Sequence, residues 1–322
     1  IAFFNDSIRD GLKGSVFDSA DTGFMSGKAG QEKLIAHNAL GCQYDAEAET
    51  TCWNGNAQDH YADAGQVVNY AEIHDNLTLY DKLKASVPTD DEATTVARAK
   101  LADSVVYLSE GIPAIQLGQE FLRTKGGNGN SYNAGDAANA IDWNRAAQYA
   151  DSVDYVKGLI KLRKQIKALR LTNYDDINDS VTMLKSDEGA VAYQAKDSSG
   201  TYMVIFNANN EPAAVEGIGA GKYNVLAGDG TVYDENAKDA FVRKGSTYTA
   251  GALSATVLKV ASADDVVPGI SGMTESTTIT VGSKFDSMAG VTADDSIDGD
   301  LSAGIKVEGP VGAGMVGDDA RG

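Results

Sequence analysis

The densest group of chemistry-bearing side chains is Tyr70-Ala-Glu-Ile-His74-Asp75-Asn76-Leu-Thr-Leu-Tyr80-Asp81. Its first residues belong to Val67-Val-Asn-Tyr-Ala-Glu-Ile73, a β-rich run that reads as a strand. In alternating β/α folds, the polar residues just past the strand C-termini build the active site. Consecutive His, Asp and Asn side chains offer several donors and acceptors at once, which suits a polyhydroxylated ligand. The same residues also admit an architectural reading, a strand-end cap in which Asp75 opens the next helix. Residue types alone leave both readings open.

Three elements of alternating type are expected to position this group. Ala2-Phe-Phe-Asn5, Val67–Ile73 and Gly111-Ile-Pro-Ala-Ile-Gln-Leu117 read as short buried strands. Helical spacing covers Gln31–Leu40, Glu92–Leu108 (Val96, Leu101, Val105, Leu108) and Val153–Leu169 (Val156, Leu159, Ile160, Leu162, Ile166). Strand, helix, strand, helix over residues 1–169 implies parallel strands in an α/β sheet or barrel. After Leu169 the pattern changes to short strands: Val181–Leu184, Ala190–Ala195, Tyr202–Asn207, Lys222–Leu226, Phe241–Val242 and Thr256–Val260, as in a small β-sandwich. Gly228-Asp-Gly230 reads as a hairpin turn. From about residue 263 the composition shifts to eleven acids against three bases, with a strand at Thr277–Val281 and a turn at Asp298-Gly299. This reads as a third, partial β module.

Charge and composition narrow the partners. The 322 residues carry a net charge of −19, a field that repels nucleic-acid phosphates and anionic lipid but does not penalise a neutral carbohydrate. No apolar run approaches the roughly 20 residues of a membrane-spanning helix. Two cysteines, Cys42 and Cys52, exclude a disulfide-rich scaffold and a Cys₄ zinc site. In an oxidising compartment they would close one disulfide; otherwise they are two free thiols. His37 and His60 read as solvated surface residues. Asp294-Asp-Ser-Ile-Asp298-Gly-Asp300 mimics a calcium loop, but it has Ser at the third position and no closing Glu, and reads as an acidic turn. The chain opens on Ile-Ala-Phe-Phe with neither Met nor a leader pattern, so it is expected to begin mid-protein.

Four segments together resemble the α-amylase superfamily of glycoside hydrolases, and within it the type I pullulanases, which debranch α-1,6-linked glucans. Phe4-Asn5-Asp6-Ser-Ile8-Arg9-Asp10-Gly-Leu-Lys-Gly14 resembles the stretch around barrel strand six, and the His74-Asp75-Asn76 segment the region after strand seven. Gly111–Lys125 resembles strand eight and its exit. Asn130-Ser-Tyr-Asn133, Asp136, Asn139 and Asp142-Trp143 resemble the pullulanase loop that follows. Isoamylase-like debranchers usually carry Gly where Asn76 stands, which favours the pullulanase branch. Around residues 266–308, Val281-Gly-Ser-Lys-Phe-Asp, Ala289-Gly-Val-Thr-Ala-Asp-Asp and Asp298-Gly-Asp-Leu resemble bacterial immunoglobulin-like repeats of surface and secreted proteins.

The resemblance implies a fold, an activity and roles. The fold is α/β: the C-terminal portion of a (β/α)8 TIM barrel in residues 1–169, an all-β sandwich in 170–262 and a partial Ig-like module in 263–322. The activity is retaining hydrolysis of α-1,6-glucosidic bonds in pullulan, starch or glycogen. Asp75 matches the carboxylate that hydrogen-bonds sugar hydroxyls at the cleavage subsite and stabilises the oxocarbenium-like transition state. His74 and Asn76 stand beside it as sugar contacts. Tyr132, Asn133 and Asp136 lie on the loop over the expected cleft, where a tyrosine ring suits the C–H face of a glucosyl unit; without ligand, that loop reads as held by its own Asn and Ser turns.

Several features limit the resemblance. No nucleophile or general-acid segment matches, so both are expected in strands upstream, and this chain alone is expected to be inactive. Glu120 reads as a structural carboxylate at the rim, and Arg9-Asp10 as an ion pair. No cofactor is certain; many superfamily members bind calcium, which leaves that ion open for a full-length enzyme. The resemblance implies an α-glucan partner and an extracellular or cell-surface location. Two rival readings are a non-catalytic α-glucan-binding or surface protein reusing the fold, and an α-1,4-acting relative.

Overall fold

The computed structural model describes residues 1–43, 61–219, 221–233, 241–243, 246–261, 269–273, 283, 286–295 and 299–306. It divides into two compact units, one holding residues 1–218, 223–240 and 246–260, the other 219–222, 241–245 and 261–322.

The first unit opens on three short strands, β1 (Phe3–Phe4), β2 (Val67–Asn69) and β3 (Ile112–Pro113), joined as a parallel sheet in the order β1-β2-β3. Phe3 faces Val67 and Val68 faces Ile112 in register. Parallel neighbours need crossovers. Here these contain α1 (Asp6–Lys13) and α2 (Glu32–Ala39), then α3 (Leu79–Ser86) and α4 (Glu92–Leu108). The long helix expected at Glu92–Leu108 and the alternating order are thus observed. The strands are shorter than their apolar runs: β2 ends at Asn69 rather than Ile73, and the Asn69 carbonyl accepts from Ala114 N (2.8 Å).

A buried asparagine relay holds the strands together. Asn5, Asn38 and Asn69 are all fully buried. The Asn5 amide donates to Asn38 Oδ1 (2.6 Å) and Asn69 Oδ1 (2.9 Å), so each buried amide has a partner. Cys42, beside this relay, is in a disulfide; Cys52, the expected other half, lies outside the described residues, as does His60.

After β3 come α5 (Asp136–Asn139), α6 (Trp143–Gln148), α7 (Ala150–Gln165) and α8 (Tyr174–Ser180). Further strands follow: β4 (Val181–Asp187), β5 (Ala190–Asp197), β6 (Gly200–Asn207), β7 (Ala213–Val215), β8 (Gly221–Gly228), β9 (Thr231–Val232), β10 (Phe241–Arg243), β11 (Tyr248–Ala250) and β12 (Ser254–Val260). The order runs β8-β12-β6-β5-β4 with β9 on β8, while β7 pairs β11 separately. Two hairpins turn through consecutive positive φ values, at Glu188-Gly189 (50°, 73°) and at the expected Asp229-Gly230 (50°, 71°). Both positive angles define a type I′ turn, whose twist matches that of the strands.

The helical and β parts share one core. Leu108, Val105, Leu159, Tyr193, Phe206 and Val257 belong to a single buried cluster. The close fit of α7 on β9 depends on Gly158, since a Cβ there would meet Val232 Cβ at 2.5 Å. Gly158→Val is expected to destabilise the chain by about 1–3 kcal/mol through overpacking; the midpoint of urea unfolding checks it.

In the second unit, β13 (Gly269–Ser271), β14 (Thr292–Asp295) and β15 (Gly299–Asp300) form a three-stranded antiparallel sheet. The strand expected at Thr277–Val281 lies outside the described residues, as does Asp298 of the expected turn. Among the described residues no helix is long and apolar enough to cross a membrane, and no three His, Cys, Asp or Glu are grouped to hold a metal ion.

Candidate functional site

His74, Asp75 and Asn76 sit on the segment that leaves β2 and enters α3, as expected for strand-exit residues. His74 and Asp75 are paired, Nε2 to Oδ2 at 3.3 Å, with both side chains 73% exposed. That exposure leaves carboxylate and imidazole available to a ligand. Asn76 adopts a left-handed backbone, φ 66°. Gly and Asn are the residues that reach this region at least cost, which suits Asn to this position. The helix-capping alternative fails for Asp75: the N-cap of α3 is Thr78, whose Oγ1 accepts from Asp81 N (3.1 Å).

The loop carrying Tyr132, Asn133 and Asp136 lies against this segment. A Cβ on Gly129 would stand 3.6 Å from the backbone of Asn76 and Leu77. Tyr132 is 82% exposed, and Asn133 and Asp136 are exposed as well. The loop is held from beneath, not by its own turns alone. Buried Asp81 of α3 accepts from Thr124 Oγ1 (2.5 Å) and Lys125 N (2.8 Å). Lys125 Nζ donates to Ser131 Oγ (2.8 Å), and Asn139 Nδ2 to Ser131 O (2.6 Å). Arg123 donates to the Asn139 carbonyl (2.6 Å) and Arg145 to that of Leu122 (3.0 Å).

Two structural assignments made from sequence hold. Glu120 Oε2 accepts from Gly118 N (2.8 Å), stabilising its own turn. Arg9 pairs with Asp10 (2.6 Å) and Asp6 (3.1 Å) and donates to Tyr70 Oη (2.9 Å).

Beneath the exposed residues lies a layer of buried ionisable groups that sequence reasoning missed. Glu72, Lys13 and Asp103 are each at most 3% exposed. Burial pushes the Glu72 carboxyl above the usual carboxylate range, against the pull of the Leu79 N–H and the Lys13 ammonium. Burial pulls Lys13 below the usual ammonium range, with Glu72 opposing. Burial raises Asp103 to about 8, although Gln119 Nε2 donates to it at 2.5 Å. A signal for Asp103 was present: it interrupts the apolar face of α4 between Leu101 and Val105. Glu72 carried no comparable signal, because a carboxylate in a strand-exit segment reads as solvated.

Comparison with known proteins bears on what this arrangement does. No family model matches the chain. It is 35% identical over 197 residues to the pullulanase of Bacillus subtilis (strain 168), an alignment covering 61% of this chain and 26% of that protein. It is 27% identical to pullulanase A of Streptococcus pneumoniae serotype 2, covering 81% of this chain and 24% of that protein. Among solved structures, the type I pullulanase of Bacillus subtilis complexed with maltose superposes with a TM-score of 0.73 at 30% identity, over 81% of this chain and 36% of that one. The chain therefore spans about a quarter of the length of the curated relatives it matches.

Proposed function

The chain is homologous to type I pullulanases over most of its length, and from that premise we propose that it contributes one wall of a retaining α-1,6-glucan hydrolase site. One observation carries the reading: an exposed, paired His74 and Asp75 stand on a strand-exit segment against which the Tyr132 loop packs. In this reading β1, β2 and β3 are barrel strands six to eight, within residues 1–169. Residues 170–262 are the following sandwich, and 263–322 an Ig-like module. The 42% to 50% exposure of Phe3, Phe4 and Ile112 on the sheet supports further strands beside them.

Asp75 accepts hydrogen bonds from sugar hydroxyls that strengthen as the ring flattens, which stabilises an oxocarbenium-like transition state. His74 and Asn76 add contacts to the same sugar, and Asn133 and Asp136 offer polar contacts along the loop. Tyr132 presents its ring to a glucosyl C–H face. A retaining mechanism also needs a nucleophile and a general acid roughly 5–5.5 Å apart. Both are assigned to segments this chain does not carry. Any calcium belongs to the whole enzyme, and no residue here is assigned to it. The α-glucan substrate accords with an extracellular or cell-surface enzyme.

The test uses the chain as it stands. Calorimetric titration with maltotetraose is expected to show binding, and incubation with pullulan to release no reducing sugar. Tyr132→Ala is expected to weaken maltotetraose binding about three- to tenfold, the loss of about 1 kcal/mol of aromatic stacking. Reducing sugar released by the purified chain and abolished by Asp75→Asn would contradict the placement of nucleophile and acid elsewhere.

A further inference from the structure

Glu72 is not at the surface of the site and touches no solvent, yet its carboxylate closes the segment that presents His74 and Asp75. Its Oε2 accepts from the backbone N–H of Leu79 at 2.5 Å, seven residues on. Leu79 is the first residue of α3, and its N–H is one of the four that a helix start leaves without an internal partner. Thr78 serves the N–H of Asp81 in the same turn. The two acceptors therefore divide the work: Thr78 caps the helix locally, and Glu72 ties the helix start back to the strand exit. Residues 73–78 are left as a closed loop with a left-handed residue at Asn76.

The other carboxylate oxygen reaches the neighbouring strand exit. With the Gln116 amide turned as its two acceptors dictate, its nitrogen lies 2.9 Å from Glu72 Oε1 and 3.1 Å from the Ile73 carbonyl. Glu72 thereby joins the segments leaving β2 and β3, and the positive charge of Lys13 of α1 acts on it. Arg123 adds positive charge and Asp81 negative charge around it.

We propose that Glu72 is a positioning residue, whose bridge between Leu79 N–H and Gln116 fixes the His74–Asp75 segment in its ligand-ready form. The inference rests on the reading of Asp75 as a sugar contact only for its effect on binding; the bridge itself is tested separately. Reach is the discriminating property. Gln keeps an oxygen at the same distance for Leu79, and meets Gln116 only if that amide turns its oxygen inward and gives up the Ile73 carbonyl. Asp is one methylene too short to reach both.

The experiment is amide hydrogen exchange by NMR on the whole chain, with maltotetraose titration of the same variants. In the wild type the Leu79 amide is expected to be protected. In Glu72→Ala and Glu72→Asp it is expected to exchange at least about tenfold faster, while Leu101 and Val105 of α4 keep their protection. Glu72→Gln is expected to restore protection. Maltotetraose affinity is expected to fall about tenfold in Glu72→Asp and to recover in Glu72→Gln. Unchanged Leu79 exchange in Glu72→Ala, or equal behaviour of the Asp and Gln variants, would overturn the proposal. Wild type that protects Leu79 through Glu72 but binds no maltotetraose would overturn the functional reading and the ligand-ready role, while leaving the bridge established.

Discussion

Stability of this chain is expected to fall as pH rises from about 4.5 to 8. Asp103 and Glu110 are the main cause. In the unfolded chain they titrate near 3.8 and 4.5. In the folded protein burial holds both up to about 8, against the pull of Gln119 on Asp103 and of Arg163 and the Leu171 N–H on Glu110. Between those values the folded chain binds protons that the unfolded chain has lost, so each pH unit costs about 1.4 kcal/mol per fully shifted group. The contribution is fully present below the unfolded values and lost as pH passes the folded ones. Glu72 acts in the same direction. Glu92 and Asp197, whose carboxylates are held low by hydrogen bonds in the folded state, act oppositely, but on the acid side of the window. Denaturant midpoints at pH 5, 6, 7 and 8 should decline steadily, and Asp103→Asn should remove about half of the slope. Midpoints that rise across this range would contradict the assignment.

Arg163→Ala is expected to cost about 3–5 kcal/mol, lowering the melting temperature by about 10 °C. Arg163 is 7% exposed, and its guanidinium donates to three backbone carbonyls: Tyr107 (2.9 Å), Ser109 (2.7 Å) and Gly111 (2.5 Å). These are the end of α4 and the start of the turn into β3. Truncation strands three buried acceptors and removes the Arg163 positive charge that acts on Glu110. Arg163→Lys should recover only part of the loss, because an ammonium cannot serve three carbonyls with the geometry of a planar fork. Calorimetric melting of the two variants measures both effects.

How much was legible in the sequence follows from what each signal depends on. The helix at Glu92–Leu108 was read with its observed ends from its long apolar spacing, and in the structure Asp91 caps its start. The hairpin at Asp229-Gly230 was legible because Gly tolerates the left-handed turn. The helices α1 and α3, each eight residues long, were missed; so short a helix takes most of its stability from tertiary packing. Strands β2 and β3 were overextended, since apolar runs continue past the last ladder bond into residues buried by other means, such as Ala71. His74, Asp75 and Tyr132, singled out in the sequence by their order, are exposed in the structure, and Asn76 is half-buried. What holds them was not legible. Glu72, Asp81 and Gln116 act through partners 7 to 44 residues away, and no local pattern encodes such pairs.

The central proposal is that the exposed Asp75 carboxylate works within an α-1,6-glucan hydrolase. The most direct measurement is product analysis on pullulan with the full-length gene product that carries this chain, as wild type and as Asp75→Asn. The expected result is maltotriose from the wild type and a fall of at least about a hundredfold in its rate of release for Asp75→Asn, the loss of a contact made mainly in the transition state. Panose or isopanose as product would mean that α-1,4 bonds are cut. Binding of pullulan without turnover, or an Asp75→Asn variant that keeps wild-type rates, would contradict the claim.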